Sequence, residues 1–341
     1  MVPVIVIVGL IIAGTLRMYY MQQEFNVEAS ETLVSITGTT FGTVPYNIQY
    51  LDANKRDFKA QIDSLLREFN QCLSTYIATS EINKFNETGL IRFERPFFYP
   101  VLDASRTVYD VTGGAFDPTV GPLINAWGFG PTAPVYPDSS TVDSLLEYVN
   151  FDSVYFNKES VCRLKPGIEL SFSAIAKGQG VDVVADFLNT QGIENVFVEI
   201  GGEVVARGHY LGDRPWIVGI EDPTVTGVEQ KALLRMTLEN QGLATSGNYR
   251  NFYIHNGRKY AHTIDPKTGY PVQHSLLSAT VMAKNCMLAD AYATAFMVLG
   301  VEESQRILEE NDDLEAILVY SQGTDSLSTF FTAGIRQSLL D

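Results

Sequence analysis

Residues 287–299 constrain the fold more than any other stretch, because they predict a helix that is apolar or small on nearly every side. The sequence MLADAYATAFMVL departs from this pattern at Asp290 and Thr294. A helix that is hydrophobic all round is buried in a folded domain, and Gly300 predicts where this one ends. We therefore expect a core helix that carries two polar groups.

Asp290 and Thr294 are spaced by four residues, which places them on one face of this helix. A buried carboxylate is costly unless it is paired or bound to a metal, and no Lys or Arg lies within a turn of Asp290. Carboxylate and hydroxyl oxygens suit Mg²⁺, with water and substrate phosphate as further ligands. The spacing is equally compatible with a local cap at Asp290 and a Thr294 hydroxyl bonded back to a carbonyl.

The remaining periodic segments place strands and helices in an irregular order. Strands are predicted over 43–51, 195–205, 215–221, 232–238, 277–283 and 314–321, and helices over 55–69, 141–149, 180–189 and 302–310. This order favours an α+β fold over a doubly wound parallel sheet. Because no low-complexity linker or repeat interrupts residues 25–341, we interpret them as one domain.

The first 22 residues predict a membrane segment. Residues 2–14 are uncharged, Arg17 can extend to the membrane surface, and Tyr19 and Tyr20 suit the interface, which gives marginal spanning length. We expect an uncleaved anchor. A secretory signal is the alternative, although a basic start and a small-x-small cleavage site are missing; a buried strand would be unusually long. Either membrane interpretation places residues 25–341 on the outer face of a cytoplasmic membrane.

Charge and motif searches narrow the functional classes. With 24 Lys and Arg against 40 Asp and Glu, the net charge of −16 disfavours nonspecific binding to nucleic acid, so any phosphate must be held locally. The sequence has no P-loop, no G-x-G-x-x-G and no H-E-x-x-H motif. The K-T-G at 267–269 lacks the S-x-x-K of serine acyl enzymes. Three cysteines allow at most one disulfide.

Four further stretches have the composition of binding loops. Residues 170–182 pass from a strand through small residues into a helix, where the helix N-terminus and Lys177 suit an anion, unless Lys177 is simply a solvated surface lysine. Residues 112–130 are irregular and rich in Gly, Pro and aromatics, which suits a flat ring as well as a core corner. Residues 244–250 and 260–269 resemble turns on neighbouring strands, and His262 there is either a proton acceptor near neutral pH or structural.

Taken together, these stretches resemble the ApbE family, the FAD:protein FMN transferases. The matching segments, in chain order, are GTTFGT (38–43), STY (74–76), SEINKFN (80–86), GAFDPTVGPL (114–123), SAIAKG (173–178), VEIGGE (198–203), ATSGNY (244–249), HTIDP (262–266) and ADAYAT (289–294). They extend from about residue 37 to 300 at family-like spacing, and their co-occurrence is far more specific than any single segment.

The resemblance implies one α+β, T-fold-like domain with mixed or antiparallel sheets and packed helices, which would follow the N-terminal anchor helix predicted from the apolar run. It implies Mg²⁺-dependent transfer of FMN from FAD to a threonine hydroxyl of an acceptor protein, with release of AMP. The implied acceptors carry a Thr flavinylation motif, as do subunits of Na⁺-pumping NADH:quinone reductase (Nqr) and Rnf complexes. Hydrolysis of FAD to FMN and AMP, or flavin binding without catalysis, are the alternatives.

The resemblance also assigns residues by position. It implies His262 as the base and Mg²⁺ ligands at Ala174, through its carbonyl, Asp290 and Thr294. The implied FAD contacts are Phe41, Tyr76, Ala115, Phe116, Asp117, Ser171, Lys177 and Ile264.

This sequence departs from the family pattern at three positions. Phe41 replaces the Met of most members, Ser171 the Asp of many, and Ala293 an additional Asp that some members place near the metal. A metal at this site would then take more of its ligands from water. Members that hydrolyse FAD resemble variants with Asn at the position of Tyr76, so the retained Tyr favours transfer.

Overall fold

The computed structural model describes residues 31–130, 136–223, 232–248, 252–255, 258–323 and 326–340. The helices are α1 Lys59–Leu73, α2 Glu81–Thr88, α3 Phe98–Val111, α4 Gly121–Ala126, α5 Ser139–Leu146, α6 Ala176–Thr190, α7 Cys286–Leu299, α8 Val301–Glu309 and α9 Ala333–Ser338. The strands are β1 Leu33–Thr40, β2 Val44–Leu51, β3 Leu90–Arg92, β4 Val154–Phe156, β5 Ser160–Arg163, β6 Val196–Ile200, β7 Glu203–Arg207, β8 Trp216–Glu221, β9 Ala232–Leu238, β10 Gln241–Gly247, β11 Phe252–His255, β12 Arg258–Ala261, β13 Leu276–Ala283, β14 Glu315–Gln322, β15 Ser326–Phe331 and β16 Leu339–Leu340.

An eight-stranded sheet organises the chain, in the order β1-β2-β6-β7-β10-β13-β14-β15. Neighbouring strands follow one another in chain order, and the helices and smaller sheets are inserted between them. Each strand pair among the described residues is antiparallel. The α+β prediction is therefore confirmed, with antiparallel sheets.

Helix α7 is the buried helix that the sequence predicts. Ala289, Ala293 and Phe296 are fully buried in a core shared with the sheet and with α3. The Asn285 side chain caps its start by accepting a 2.9 Å hydrogen bond from the Leu288 N–H. Its end at Leu299 confirms Gly300 as the stop, and this glycine has a φ of +80°.

The opposite face of the sheet is covered by a smaller, three-stranded sheet of β16, β9 and β8. Trp216 and Met236 from the small sheet pack with Leu243, Met282 and Ile317 from the large one. The described part of the chain thus stacks helices, the large sheet and the small sheet in three layers.

One strand prediction is wrong in an informative way. The continuous strand predicted over 195–205 is a hairpin, in which Ile200 pairs with Glu203 across Gly201 and Gly202. These glycines have φ values of +65° and +104°, as a type I′ turn requires at both central positions. Glycine makes this turn without steric cost, so an apolar run reverses direction with no polar loop.

Two loop predictions also need correction. Strand β10, which contains residues 244–247, lies between β7 and β13, whereas β12 pairs with β11 in a separate two-stranded sheet, so these segments are not on neighbouring strands. The segment 112–130, predicted to be irregular, contains α4, with Pro122 in its first turn, where the missing N–H costs nothing.

The predicted anchor at residues 1–22 lies outside the described residues. Within the described part, no helix combines the length and the apolar character needed to cross a membrane. All three cysteines are free thiols.

Candidate active site

A cavity of about 1140 Å³ lies between the β1–β2 turn, helix α1 and the start of α6. Its wall contains Phe41, Tyr76 and Lys177, three of the residues predicted to contact FAD. Tyr76 is 74% exposed, so its ring is available to a ligand in the cavity. A volume of this order accommodates a dinucleotide-sized molecule.

Phe41 occupies the β1–β2 turn in a strained backbone conformation, with a φ of +47°. Non-glycine residues rarely adopt this region, and such strain clusters at ligand sites. The Phe41 ring packs edge-on against Phe69 of α1, with 5.8 Å between centroids. It also lies against Gly180 of α6, where a Cβ would come within 2.9 Å of the ring. The turn is therefore held over the start of α6.

Lys177, in the first turn of α6, forms an ion pair with the buried side chain of Glu203. Burial opposes the charge of the lysine, but the carboxylates of Asp290 and Glu203 outweigh it and raise the pKa of Lys177 above its usual range. Burial raises the pKa of Glu203 to about 7, against the opposing effect of Lys177. Burial likewise raises the pKa of Asp290, although Lys177 and the Gly178 N–H oppose it. Lys177 is thus a charged group between two carboxylates, not a solvated surface lysine.

Asp290 is 3% exposed and accepts a 3.0 Å hydrogen bond from the backbone N–H of Gly178. The close approach of α6 and α7 depends on that glycine. A Cβ at position 178 would overlap the Cys286 carbonyl and lie 2.8 Å from Cβ of Asp290. Asp182, one turn further along α6, accepts hydrogen bonds of 3.0 and 2.8 Å from the N–H groups of Cys286 and Met287.

The predicted metal ligands are all oxygen donors. Ala174 immediately precedes α6, Asp290 lies within α7, and the Thr294 hydroxyl is 3.2 Å from the Ser246 hydroxyl of β10. No group of three or more His, Cys, Asp or Glu side chains able to hold a metal occurs in the residues that the structure describes. A cation here would therefore need the carbonyl and hydroxyl oxygens besides Asp290, and this hard donor set fits Mg²⁺.

The other predicted FAD contacts lie at a buried neighbouring corner. Ala115, Phe116 and Asp117 are 3%, 3% and 7% exposed. Oδ1 of Asp117 accepts hydrogen bonds of 2.7 Å from the Thr119 N–H and 2.5 Å from its hydroxyl, while burial raises the pKa of Asp117. None of these three residues forms the cavity wall with Phe41 and Tyr76.

Ser171 links this corner to the cavity. Its N–H donates a 2.8 Å hydrogen bond to the Pro118 carbonyl, directly after Asp117. Its hydroxyl donates a 3.3 Å hydrogen bond to that of Ser173, which lies in the cavity wall. The loop around Asp117 therefore borders the region where α6 begins.

His262 and Ile264 lie on the segment that follows β12. Ile264 is buried with Leu123 and Trp127, and the Phe129 ring lies 6.3 Å from the His262 ring. The neighbouring Thr263 hydroxyl donates a 2.8 Å hydrogen bond to Asn248, directly after β10. The end of β10 thus contacts both the segment of His262, through Asn248, and Thr294, through Ser246.

Three neighbours of the site were not predicted from the sequence: Glu203, Ser246 and Asn248. The sequence did contain a signal for Glu203. Apart from Glu199, it is the single charged residue in the apolar run 196–206, and it directly follows two glycines. Ser246 and Asn248 are small polar residues in a stretch of similar ones, so the sequence alone does not distinguish them.

Fold and site together define an α+β protein with a nucleotide-sized cavity, and the wall of this cavity contains a lysine that is paired with the buried Glu203 and influenced by the charge of the buried Asp290. The chain belongs to the ApbE family, whose model matches residues 38–318. An FAD:protein FMN transferase of Haemophilus influenzae is 38% identical over 296 residues, covering 82% of this chain and 84% of the relative. That of Escherichia coli K12 is 31% identical over 333 residues, covering 93% and 92%.

Two solved structures of flavin transferases are also similar to this chain. The flavin transferase ApbE from Vibrio cholerae superposes with a TM-score of 0.80 at 34% identity, covering 91% of this chain and all (100%) of that one. The apo form of the Pseudomonas stutzeri flavinyl transferase ApbE gives a TM-score of 0.80 at 30% identity, covering 90% and 97%.

Proposed function

We propose that this chain is an FAD:protein FMN transferase, which moves FMN from FAD to a threonine hydroxyl of an acceptor protein and releases AMP. The observation that carries the proposal is the position of Lys177, charged and held between Glu203 and Asp290 at the wall of the cavity that Phe41 and Tyr76 line. The names of the relatives support the same activity.

The chemistry is a displacement at phosphorus. The acceptor threonine oxygen forms a bond to the phosphorus of the FMN half, the bond from that phosphorus to the bridging oxygen breaks, and AMP leaves with the electron pair. His262 takes the threonine proton, which makes a neutral hydroxyl a better nucleophile. Lys177 faces the phosphates as a point charge. The fixed cavity wall aligns the attacking and leaving oxygens, which contributes much of the rate in such reactions.

Mg²⁺ is the metal we propose, held by the Ala174 carbonyl and the side chains of Asp290 and Thr294. Burial raises the pKa values of Glu203 and Asp290, and a bound cation would favour the ionised forms of both carboxylates. When these two groups and Lys177 are ionised, their formal charges sum to −1, which a cation offsets. When bound, Mg²⁺ offsets the charge of the pyrophosphate and polarises its phosphoryl oxygens.

We further propose that the enzyme works at the bacterial cytoplasmic membrane, with its catalytic domain on the outer, periplasmic face. The uncharged run at residues 2–14 supports an anchor. The proposed acceptors are proteins with a Thr flavinylation motif, such as Nqr- and Rnf-type subunits. A net charge of −16 disfavours nucleic acid as a partner.

A direct assay tests the proposal. The full chain in detergent is incubated with FAD, Mg²⁺ and an acceptor domain, and the acceptor mass and AMP are followed. We expect an acceptor heavier by one FMN unit and an equal amount of AMP. AMP and free FMN beside an unmodified acceptor would instead identify an FAD pyrophosphatase, and FAD binding without either product would identify a noncatalytic flavin-binding protein.

A further inference from the structure

Glu203 is placed by the β6–β7 hairpin and not by a loop. The turn at Gly201 and Gly202 fixes it as the first residue of β7, and the N–H of Gly201 donates a 3.0 Å hydrogen bond to the Pro45 carbonyl of β2. Alternation along β7 puts Glu203 on the same face as Val205, which packs with the helices, while Val204 faces the small sheet. The carboxylate therefore points from a rigid strand toward α6.

The ion pair of Glu203 with Lys177 differs from the other lysine pairs of the described residues. Lys59, Lys84 and Lys165 pair with carboxylates whose side chains are 31%, 57% and 68% exposed. The Glu203 side chain is 3% exposed and that of Lys177 is 34% exposed. The anion is thus buried while the lysine reaches the cavity wall, an arrangement in which the carboxylate determines where the ammonium points.

The second carboxylate oxygen of Glu203 supports the same role for this residue independently of the ion pair. Oε2 is buried and has no hydrogen-bond partner among the described residues. An unsatisfied buried oxygen is costly, and Asp52 shows how this chain satisfies a purely structural carboxylate, since both of its oxygens accept hydrogen bonds. Lys177 has three N–H donors, so a single ion pair leaves donors for another ligand.

We propose that Glu203 is a positioning residue for Lys177, holding its ammonium at the cavity wall so that it meets the phosphates of the bound nucleotide already oriented. This inference rests on the proposed FAD substrate. Glu203 contacts neither the substrate nor the reacting atoms and acts only through the lysine. Preorganised charges of this kind stabilise developing phosphate charge without reorganisation during the reaction.

A double-mutant cycle tests the inference on the full chain. Glu203→Gln keeps the shape and can still accept from Lys177, but it loses the charge, and we expect its kcat/KM for FAD to fall about tenfold or more. In a Lys177→Met background, Glu203→Gln is expected to change kcat/KM by less than about twofold, because the residue through which it acts is gone. Glu203→Asp keeps the charge on a shorter stem and is expected to lie between Gln and wild type.

Glu199→Gln is the matched control. Glu199 is in the same hairpin and accepts a 3.1 Å hydrogen bond from the Gly202 N–H, which a Gln side chain can still accept. The substitution therefore removes a carboxylate charge from the hairpin and leaves both the turn and the Lys177–Glu203 pair in place. We expect wild-type kcat/KM from it. Wild-type kcat/KM in Glu203→Gln, or an equal loss in both lysine backgrounds, overturns the positioning role, since a merely structural residue gives additive effects.

Affinity for FAD and for inorganic pyrophosphate, measured by calorimetry across the same four proteins, separates this inference from the proposed function. If the wild type makes neither flavinylated acceptor nor AMP, the proposed activity fails, yet a non-additive cycle in pyrophosphate affinity still supports Glu203. A wild type that binds neither compound overturns the inference, as does an additive cycle.

Discussion

The backbone N–H of Gly178 donates a 3.0 Å hydrogen bond to Oδ2 of Asp290, joining residues 112 positions apart. This bond connects the first turn of α6, which contains Lys177, to the middle of α7, which contains Thr294. Lys177, Asp290 and Thr294 are therefore held in one rigid unit of two helices.

Gly178→Ala is expected to separate these helices. The added Cβ would overlap the Cys286 carbonyl, a backbone atom that cannot move aside cheaply. We expect the free energy of unfolding to fall by about 1–3 kcal/mol, with reduced AMP release, measured by urea unfolding and product assay. Gly219→Ala is the control, since a Cβ there meets only Ala232 at 3.8 Å. Equal stability in both variants contradicts the close packing.

Asp290→Asn is expected to abolish metal-dependent turnover and leave the fold intact. The Asn oxygen still accepts the Gly178 N–H, but the negative charge is lost, so we expect kcat to fall by at least about 100-fold. Chelation of the wild type should have the same effect, and calorimetry should show weakened Mg²⁺ binding. Asp313→Asn, at an exposed position, provides the control. Undiminished turnover in Asp290→Asn would exclude it as a ligand.

Tyr76→Ala is expected to weaken FAD binding without destabilising the protein. Its ring is 74% exposed at the cavity wall, so little packing is lost on truncation. Loss of one aromatic contact should raise the Kd for FAD about three- to tenfold, measured by calorimetry. Tyr155, 60% exposed on β4 and outside the cavity wall, is the matched control. The prediction fails if both variants bind FAD equally well.

His262→Ala is expected to slow transfer and spare FAD binding. Removal of a general base lowers the rate by about 100- to 10,000-fold, while His262 is not among the residues that line the cavity proposed for FAD. Acceptor mass and FAD affinity are the measurements. His209→Ala is the control, because His209 is hydrogen-bonded to the Tyr210 carbonyl and is outside the proposed site. We expect this variant to transfer FMN at the wild-type rate. An unchanged transfer rate in His262→Ala refutes the assignment as base.

Asp52→Asn is expected to remove an acid-sensitive part of the stability. Hydrogen bonds from Arg56 hold the pKa of Asp52 below its usual value despite burial. The stabilisation is therefore present above pH 4 or so, the unfolded pKa, and is lost as the pH falls through the folded pKa. Urea unfolding should show a deficit of about 1–2 kcal/mol at pH 7 that shrinks toward pH 3. An equal deficit at both pH values would contradict this linkage, and Asp312→Asn is the exposed control.

Local pattern was enough to predict some of these elements. Helix α7 and its end at Gly300 could be predicted, because apolar periodicity and a glycine stop are signals carried by residues that are close together in the sequence. The β6–β7 hairpin was missed because its apolar run is continuous across Gly201 and Gly202. Strand β1 was missed because five of the eight residues of LVSITGTT are Thr, Ser or Gly.

The candidate site was predictable only in part. Lys177 and Asp290 stand out by their residue types in small or apolar surroundings, and the resemblance adds their order along the chain. The ion-pair partner of Lys177, Glu203, could not be inferred, because this pair joins a hairpin to a helix and no sequence spacing encodes that contact. The same holds for Ser246, whose contact with Thr294 depends on where β10 lies under α7.

The chain has two tryptophans, and the fold places them in different layers. The Trp127 indole donates a 2.8 Å hydrogen bond to the Gly269 carbonyl and packs with Ile264, whereas Trp216 lies behind the large sheet with Met236. Indole emission is quenched by energy transfer to a nearby isoalloxazine, with a steep dependence on distance. If FAD binds at the proposed site, Trp127, which packs with the proposed contact Ile264, is expected to lose more of its emission than Trp216, which lies on the other face of the large sheet.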